Sequence, residues 1–329
     1  MNQPKKHHYV PRFLLKNFSF GKKDKEKIHI FDKASQRSFV SSIKDAGAEN
    51  YFYRDVDERE LSTEDKLSKL ETETAPIIEK IINEQSIKNL TLLDFGVLSL
   101  FIAVQKLRTN NQRHLIHQMN QSVSAWFRKD GIDPNKDVEN FMEISKEEAD
   151  EYATKLLHSI PGELAPLIIQ KAWVLHKAPK HHNFLISDHP VTLHNHRPRP
   201  HRGNLGVGLE GIEIQFPISS SLCLTLFCPI MFGEMVDKLK QHRARLALGN
   251  AFPIDMTEIE NMVNDITERN IRMMNPENME FNNSLQVQQS SRFIYAIKND
   301  FNIAQEMTTE FPDLRKPPSI SSNHNAEGL

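Results

Sequence analysis

Hydrophobic and polar positions alternate with helical spacing from residue 62 to about residue 171. Ser62 to Asp65 has the pattern of a capping box, and apolar residues then recur every three or four positions as far as Ile82. Thr91 to Asp94 is a second capping box, and the residues that follow, 92–104, are apolar nearly all round. Such a helix is buried on every side. Further helices are predicted over about 143–158 and 161–171, so this part should be a helical bundle.

Shorter apolar runs, typical of strands, lie on both sides of this bundle. Residues 27–31 and 37–40 predict a hairpin near the N-terminus. Five later strands and two helices are expected; the strands cover 172–176, 184–187, 212–216, 222–227 and 292–296, and the helices about 233–247 and 257–273. The pattern predicts an α+β fold in which a helical bundle packs on a mostly antiparallel sheet.

We expect one domain over residues 1–311. It divides into a basic arm with a short hairpin (1–55), a helical part (56–171) and a sheet-rich part (172–300). Residues 195–211 are rich in Pro, Arg, His and Gly and predict a long exposed loop. The tail, 312–329, contains two adjacent prolines and is rich in Ser and Asn after them, which favours disorder.

Composition narrows the class of protein. Hydrophobic residues make up 39% of the chain, enough for a real core. Two cysteines, Cys223 and Cys228, are too few for a disulfide scaffold or a Cys-rich zinc site, so we expect a cytoplasmic protein. The longest apolar stretch, 95–104, is too short to cross a membrane, and the start lacks the apolar segment of a signal peptide.

The net charge of -2 hides an uneven distribution. Residues 1–40 carry ten Lys or Arg against three acidic residues, whereas residues 137–151 carry seven acidic residues. The basic arm could contact phosphates, and the plain alternative is a solvated surface.

The first candidate site is at the N-terminus, where His7 and His8 precede a Tyr-x-Pro turn and Arg12. Adjacent side chains on a strand point opposite ways, so one histidine can face a site. Neutral histidine suits general-base work or a metal. The alternative is a terminal arm that docks on the core through Phe13 and Phe18.

The second candidate site is at the end of the long helix that follows Thr91, directly after its apolar half, and contains Gln105, Arg108 and Arg113. Gln105 and Arg108 share a helix face, and an arginine at the edge of the core could grip a carboxylate or phosphate. The alternative is an interhelical salt bridge, with Glu71 as the partner of Arg108.

The third candidate site is the segment from Ser187 to Pro190, directly after a predicted strand. A carboxylate such as Asp188 at a strand end is rigidly placed for catalysis or ligand binding. The alternative is a turn in which Asp188 satisfies backbone N–H groups.

Two further patterns argue against common cofactors. Seven histidines lie between His176 and His201, but their spacing matches no closed zinc site, and an exposed loop is the plainer interpretation. Residues 206–211 fit GxGxxG, but a strand pattern follows where dinucleotide binding needs a helix. No nucleotide cofactor is therefore expected.

The chain carries a set of motifs in a fixed order: His7–Phe18, Asn50–Tyr53, Leu70-Glu71 with Ala75, Gln105–Thr109 with Arg113, Ile186–Val191, Phe216–Ser219, Asn283–Leu285 and Arg292–Tyr295. They resemble the motifs of the bacterial domain-of-unknown-function 4238 family over about residues 5–300. Asn110 stands where that family usually has Pro, and His189 where it has Asn. The resemblance implies the extent of the domain and the convergence of the three sites on one cleft, but no chemistry.

The His-His-x-x-Pro letters also resemble the first motif of HNH-type nucleases, in which a histidine activates water beside a metal ion. The Asn and the helix-borne His of the second half of that motif are not matched by Asn17 and His29.

These observations suggest a metal-dependent phosphodiesterase or nuclease of a bacterial phage-defence or toxin type, acting on nucleic acid or nucleotides. In this hypothesis His7, His8 and Asp188 are catalytic, and Asp188 binds Mg²⁺ or Mn²⁺ together with Glu71. The side chains expected to bind substrate are Arg12, Gln105, Arg108, Arg113 and Ser187. The alternative is a non-catalytic binding or sensor module for a small anionic ligand or a protein partner. The oligomeric state is left open.

Overall fold

A computed structural model describes residues 6–53, 62–198, 205–249 and 254–319. The strands in these ranges are β1 (Lys6–His8), β2 (Lys27–Asp32), β3 (Arg37–Ser42), β4 (Ala48–Asn50), β5 (Ala172–Lys177), β6 (Ile186–Ser187), β7 (Thr192–Asn195), β8 (Ile212–Ser219), β9 (Leu222–Phe227), β10 (Ile271–Met273) and β11 (Phe293–Ala296).

The helices of the same ranges are α1 (Arg12–Lys16), α2 (Thr63–Glu84), α3 (Leu92–Leu107), α4 (Asn110–Lys129), α5 (Lys146–Leu156), α6 (Ile160–Ile169), α7 (Pro229–Ala247), α8 (Thr257–Thr267), α9 (Pro276–Gln289) and α10 (Asn302–Glu310). A 3-10 helix, Pro312–Arg315, follows α10. No helix in the described ranges is long and apolar enough to cross a membrane.

Three sheets are present among the described residues. The largest has the order β10-β5-β9-β8-β7, a second has the order β3-β2-β11-β6, and β1 pairs with β4. Every pair is antiparallel except β10 with β5. The predicted α+β class and the mostly antiparallel sheet are therefore confirmed.

The apolar helix α3 is the centre of the core. Its first turn is fixed by a reciprocal capping box between Thr91 and Asp94. The Phe101 ring lies 5.5 Å from that of Phe13 in α1 and 6.1 Å from that of Phe216 in β8. Helix α3 thus lies between the N-terminal arm and the five-stranded sheet, as its apolar pattern predicts.

The structure departs from the predicted elements at four places. The helix after Thr91 ends at Leu107, because Thr109 has an extended backbone, and α4 begins anew. Helix α8 stops at Thr267, and the positive φ of Arg269 turns the chain into β10. Helices α9 and α10 and strand β7 have no counterpart in the sequence prediction, and β7 shares only Asn195 with the predicted loop.

Part of the predicted C-terminal tail is ordered in the structure. Residues Pro312–Arg315 form the 3-10 helix, and the Arg315 Nε donates to the Thr308 carbonyl oxygen over 2.9 Å. Residues 320–329 lie outside the described residues, as does His201 of the histidine-rich stretch.

Candidate functional site

A basic pocket of about 350 Å³ lies where α4 and α5 meet the turn before β11. Strand β4 and the C-terminal 3-10 helix complete its wall. Six basic or imidazole side chains line it: Arg113, His114, His117, Lys146, Arg292 and Arg315. The acidic side chains in its lining are Glu49 and Asp150. We call it the basic pocket.

Helix α4 supplies three of these side chains, because residues 113, 114 and 117 share one helix face. Arg113 is held firmly: its guanidinium lies 3.5 Å from the centre of the Phe52 ring, and it donates to the Phe52 carbonyl. Burial, together with the charges of His117 and Lys146, lowers the pKa of His114. His114 is therefore largely neutral at pH 7 and can act as a hydrogen-bond donor or acceptor.

Two of the lining groups are free to meet a ligand. His117 and Lys146 have no hydrogen-bond or ion-pair partner within the described part of the chain. The Ser291 hydroxyl is buried and also has no partner among the described residues, although Ser291 is only 7% exposed. A buried hydroxyl without a partner is uncommon, since it loses its hydrogen bonds to water.

Asp188 does not line the basic pocket, but it holds part of the pocket's wall in place. Its carboxylate accepts hydrogen bonds from the backbone N–H groups of Ser291, Arg292 and Phe293 at 2.7, 2.7 and 2.9 Å. Burial raises the pKa of Asp188, and these N–H groups and the Lys33 charge oppose the rise. Asp188 thereby fixes the turn that presents Ser291 and Arg292.

The roles predicted for Asp188 and Ser187, in catalysis, metal binding and substrate binding, stay predictions, and neither side chain lines the basic pocket. Both Asp188 oxygens already accept backbone hydrogen bonds, and Ser187 is fully buried and donates to Gln286 Oε1 over 2.8 Å. The alternative interpretation, a carboxylate that satisfies backbone N–H groups, describes Asp188 better. Its partners, however, lie more than 100 residues away rather than in a local turn.

His189 links the same segment to the junction of α3 and α4. Its Nδ1 is 2.7 Å from Thr109 Oγ1, and its Nε2 is 2.8 Å from Lys106 Nζ. Burial holds the pKa of His189 well below its usual value and lowers that of Lys106 to about 7. His189 and Lys106 thus form a buried, weakly charged link between helix and sheet.

Gln105, Arg108 and Glu71 form one network beside the N-terminal arm. Gln105 Nε2 donates to the Tyr9 carbonyl over 2.9 Å, and Arg108 Nε donates to Gln105 Oε1 over 2.8 Å. Arg108 Nη1 pairs with Glu71 Oε1 at 2.7 Å, with the Arg108 side chain 1% exposed. These residues tie α2, α3 and the arm together, and the interhelical salt bridge of the alternative interpretation is present. Their substrate-binding and metal-binding roles stay predictions.

His7 and His8 belong to the docked arm. His7 Nδ1 accepts the Tyr53 N–H over 3.0 Å, and the two rings stack with their centres 5.5 Å apart. On the neighbouring residue, burial and the charge of Arg12 lower the pKa of His8 to about 4. Arg12 itself is exposed at the start of α1. None of the three lines the basic pocket.

The comparisons with known proteins give one match. Residues 6–300 match the family described as Protein of unknown function (DUF4238). The chain belongs to the DUF4238 family. No curated protein and no solved structure matches it. The family match confirms the resemblance drawn from the motifs, whereas the likeness to HNH-type nucleases has no support beyond its few letters.

In this DUF4238 chain the predicted site residues separate into two groups. Arg113 lines the basic pocket, and the other predicted residues hold its surroundings or the N-terminal arm. The motif of this family around Asp188 thus acts on the pocket indirectly, through the turn at Ser291 and Arg292. The predicted convergence of the motifs is real in part, but the ligand-facing groups are different ones.

Sequence reasoning missed five basic groups of the pocket: His114, His117, Lys146, Arg292 and Arg315. The spacing of Arg113, His114 and His117 on one helix face was a usable signal. Lys146, Arg292 and Arg315 lie in segments for which the sequence alone indicates no contact.

The metal-binding role of Glu71 and Asp188 stays a prediction for this DUF4238 chain. Glu71 is paired with Arg108, and the Asp188 oxygens are occupied by N–H groups. The described residues contain no group of three or more His, Cys, Asp or Glu placed to hold a metal ion.

Proposed function

We propose that the basic pocket binds a small anionic ligand through its phosphate groups. The observation that carries this proposal is the lining: six basic or imidazole side chains face two carboxylates around about 350 Å³. Arginine presents a planar fork of donors that matches phosphate, and lysine adds a compact charge. Four of the six are cations: Arg113, Lys146, Arg315 and Arg292, which already pairs with Asp32. A bound anion would offset their mutual repulsion.

The lining side chains that have no partner within the described residues also favour a ligand that carries phosphate. His117 and Lys146 can each donate to a phosphate oxygen. The volume lies at the lower end of the range for small-molecule sites, which is roughly 300–1,000 Å³. A mononucleotide or a similar phosphate ester fits this size, whereas a nucleic-acid duplex does not. We place this function in the cytoplasm, since Cys223 and Cys228 are free thiols.

A binding titration tests the proposal. Isothermal calorimetry with inorganic phosphate, ADP and a short single-stranded oligonucleotide should show binding of at least one, weakened by salt. Lys146→Ala should weaken that binding about tenfold, because a charged hydrogen bond is lost. Lys136→Ala is the matched control, since Lys136 is exposed, pairs with Asp133 and lies outside the pocket. Equal affinity of the two variants, or no binding by the unmodified protein, would contradict the proposal.

A second candidate function is cleavage of a phosphodiester bond in the same pocket. The observation in its favour is the pair His114 and His117 beside Lys146. One imidazole would take a proton from the attacking water while the P–O bond to the leaving group breaks, and the other would protonate the leaving oxygen.

Cleavage assays with and without Mg²⁺ or Mn²⁺ separate this candidate from simple binding. The unmodified protein should cleave an oligonucleotide or a dinucleotide, and His117→Ala should lower the rate by about a hundredfold while phosphate binding falls much less. Equal turnover by His117→Ala and by the unmodified protein would contradict the catalytic candidate but not the binding proposal.

A further inference from the structure

A second concavity, of about 800 Å³, lies on the opposite side of α4. Its walls are α4 and α5, and its floor is the connecting segment 140–144. Eight of its lining residues are apolar: Ile116, Met119, Val123, Phe141, Met142, Ile144, Tyr152 and Leu156. We call it the α4–α5 groove.

The apolar face of α4 is only partly covered in the described structure, by α5 and by the Phe141 ring, whose centre lies 5.6 Å from that of Phe127. Over its 20 residues, α4 buries only Asn111 and Ser124. Met119, Met142 and Tyr152 of the groove are 62%, 71% and 51% exposed. Clustered exposed apolar side chains of this kind mark interaction surfaces, and flexible methionines suit them because they adapt to a partner's shape.

The dimensions of the groove fit a helix. The groove-lining residues of α4 run from Gln112 to Val123, and at 1.5 Å per residue they span roughly 16 Å, or three helical turns. Both walls are helices, so neither offers a free strand edge, and a third helix would complete a three-helix bundle. Asn120 fixes the floor: it donates to the Met142 carbonyl over 2.9 Å and accepts from the Ile144 N–H over 3.1 Å.

The charge around the groove indicates what kind of partner can bind there. Residues 137–151 contain seven acidic residues and one lysine. Glu148 and Glu151 line the groove itself, against one cation, Lys155. Complementary potential at the rim of an interface steers association and rejects like-charged partners. A second copy of this chain in a twofold contact would set these acidic rims against each other. The complementary partner is basic.

We propose that the α4–α5 groove binds the basic amphipathic helix of a protein partner. The apolar face of that helix, with residues at i, i+4 and i+7, lies along Met119, Met142 and Tyr152, and its flanking lysines or arginines face Glu148 and Glu151. This interaction is independent of phosphate binding in the basic pocket, although both surfaces share α4.

The probe is a fluorescently labelled 16-residue helical peptide of Leu and Lys with Leu on one face. Fluorescence anisotropy should show that it binds, and that a Leu/Glu peptide of the same pattern does not. Met119→Asp and Met142→Asp should each weaken binding about tenfold or more, as expected at the centre of an interface. Glu151→Lys should weaken it and reduce its dependence on salt.

Leu93→Asp is the matched control, because Leu93 is 75% exposed and lies outside the groove; it should bind the Leu/Lys peptide like the unmodified protein. All variants change exposed or rim positions, and circular dichroism melting checks that each one folds. Equal binding by all variants, or equal binding of the Leu/Glu peptide, overturns the proposal. So does self-association of the chain that Met119→Asp abolishes, since the groove would then hold a second copy.

Discussion

Arg108 is an arginine in the core, and its surroundings explain how a charge is tolerated there. Two of its nitrogens meet Gln105 and Glu71, while Nη2 is buried with no partner among the described residues. The Phe101 ring lies below the guanidinium, 5.7 Å from its carbon. The Glu71 carboxylate is therefore the main compensation for a charge that water cannot reach.

Glu71→Gln should lower the free energy of unfolding by about 2 kcal/mol, because the buried guanidinium loses its counter-charge. The partly exposed Glu71 side chain keeps the loss below that of a fully buried pair. Urea denaturation measures it. Glu143→Gln is the control: it removes the partner of Arg128, whose side chain is 57% exposed, and should cost well under about 1 kcal/mol. Equal losses would show that burial of Arg108 has no energetic role.

The residue types of the motifs were predictable, but their roles were not. A sequence shows that Asp188 is a carboxylate after a strand, whereas its role depends on partners at residues 291–293. Arg108 similarly looks like a helix-edge arginine until α2 is placed beside it. For these residues the alternative, structural interpretation of each motif was the better one, since a buried polar group must find partners somewhere in the fold.

At the scale of secondary-structure elements, helix starts were easier to predict than helix ends. Ser62 and Thr91 each accept the backbone N–H three residues on, as their capping patterns indicate. Helix α3 ends without glycine or proline at Arg108, and α8 ends before Arg269, a non-glycine residue with φ of 53°. Ends of this kind leave no mark in the sequence, because tertiary contacts determine them.

Thr91→Ala should destabilise the protein by about 1 kcal/mol, since it removes the hydroxyl that accepts the Asp94 N–H over 3.1 Å. Helix α3 is central to the core, so the loss should appear in the free energy of global unfolding measured in urea. Thr72→Ala is the matched control. Its hydroxyl is exposed and bonds only to the Ser68 carbonyl one turn earlier, so its change should lie within about 0.5 kcal/mol. If Thr91→Ala left the free energy of unfolding unchanged, packing alone would stabilise α3.

At the scale of the whole molecule, the basic pocket depends on segments that are distant in sequence. Helices α4 and α5, the turn at Ser291 and the 3-10 helix at Arg315 each contribute, and the four-stranded sheet positions that turn. The fold class followed from periodicity, a local property. The basic pocket could not be predicted from periodicity, because it depends on which elements become neighbours in the fold.

Buried basic groups give the whole molecule an unusual dependence of stability on pH. Burial lowers the pKa of His176 to about 4, that of His189 well below 6.5, and that of Lys106 to about 7. A second lysine, Lys33, has its pKa lowered to about 8. In each case the unfolded chain binds a proton that the folded chain does not, so stability is lost as pH falls below the unfolded pKa. His196 and Asp188 oppose this trend, because Glu213 raises the pKa of His196 and burial raises that of Asp188.

The free energy of unfolding should therefore rise from pH 5 to pH 9. The two buried histidines act between pH 5 and about 6.5, and the lysines act above pH 7, each fully buried group adding up to about 1.4 kcal/mol per pH unit. Urea denaturation at five pH values across this range measures the slope. His176→Gln should reduce the slope of the free energy of unfolding on the acid side of this range, and Lys106→Met should reduce it on the alkaline side. The two variants therefore separate the contribution of the histidines from that of the lysines. A maximum near pH 6 with a decline toward pH 9 would contradict the argument, because it would mean that Lys106 and Lys33 stay protonated in the folded protein.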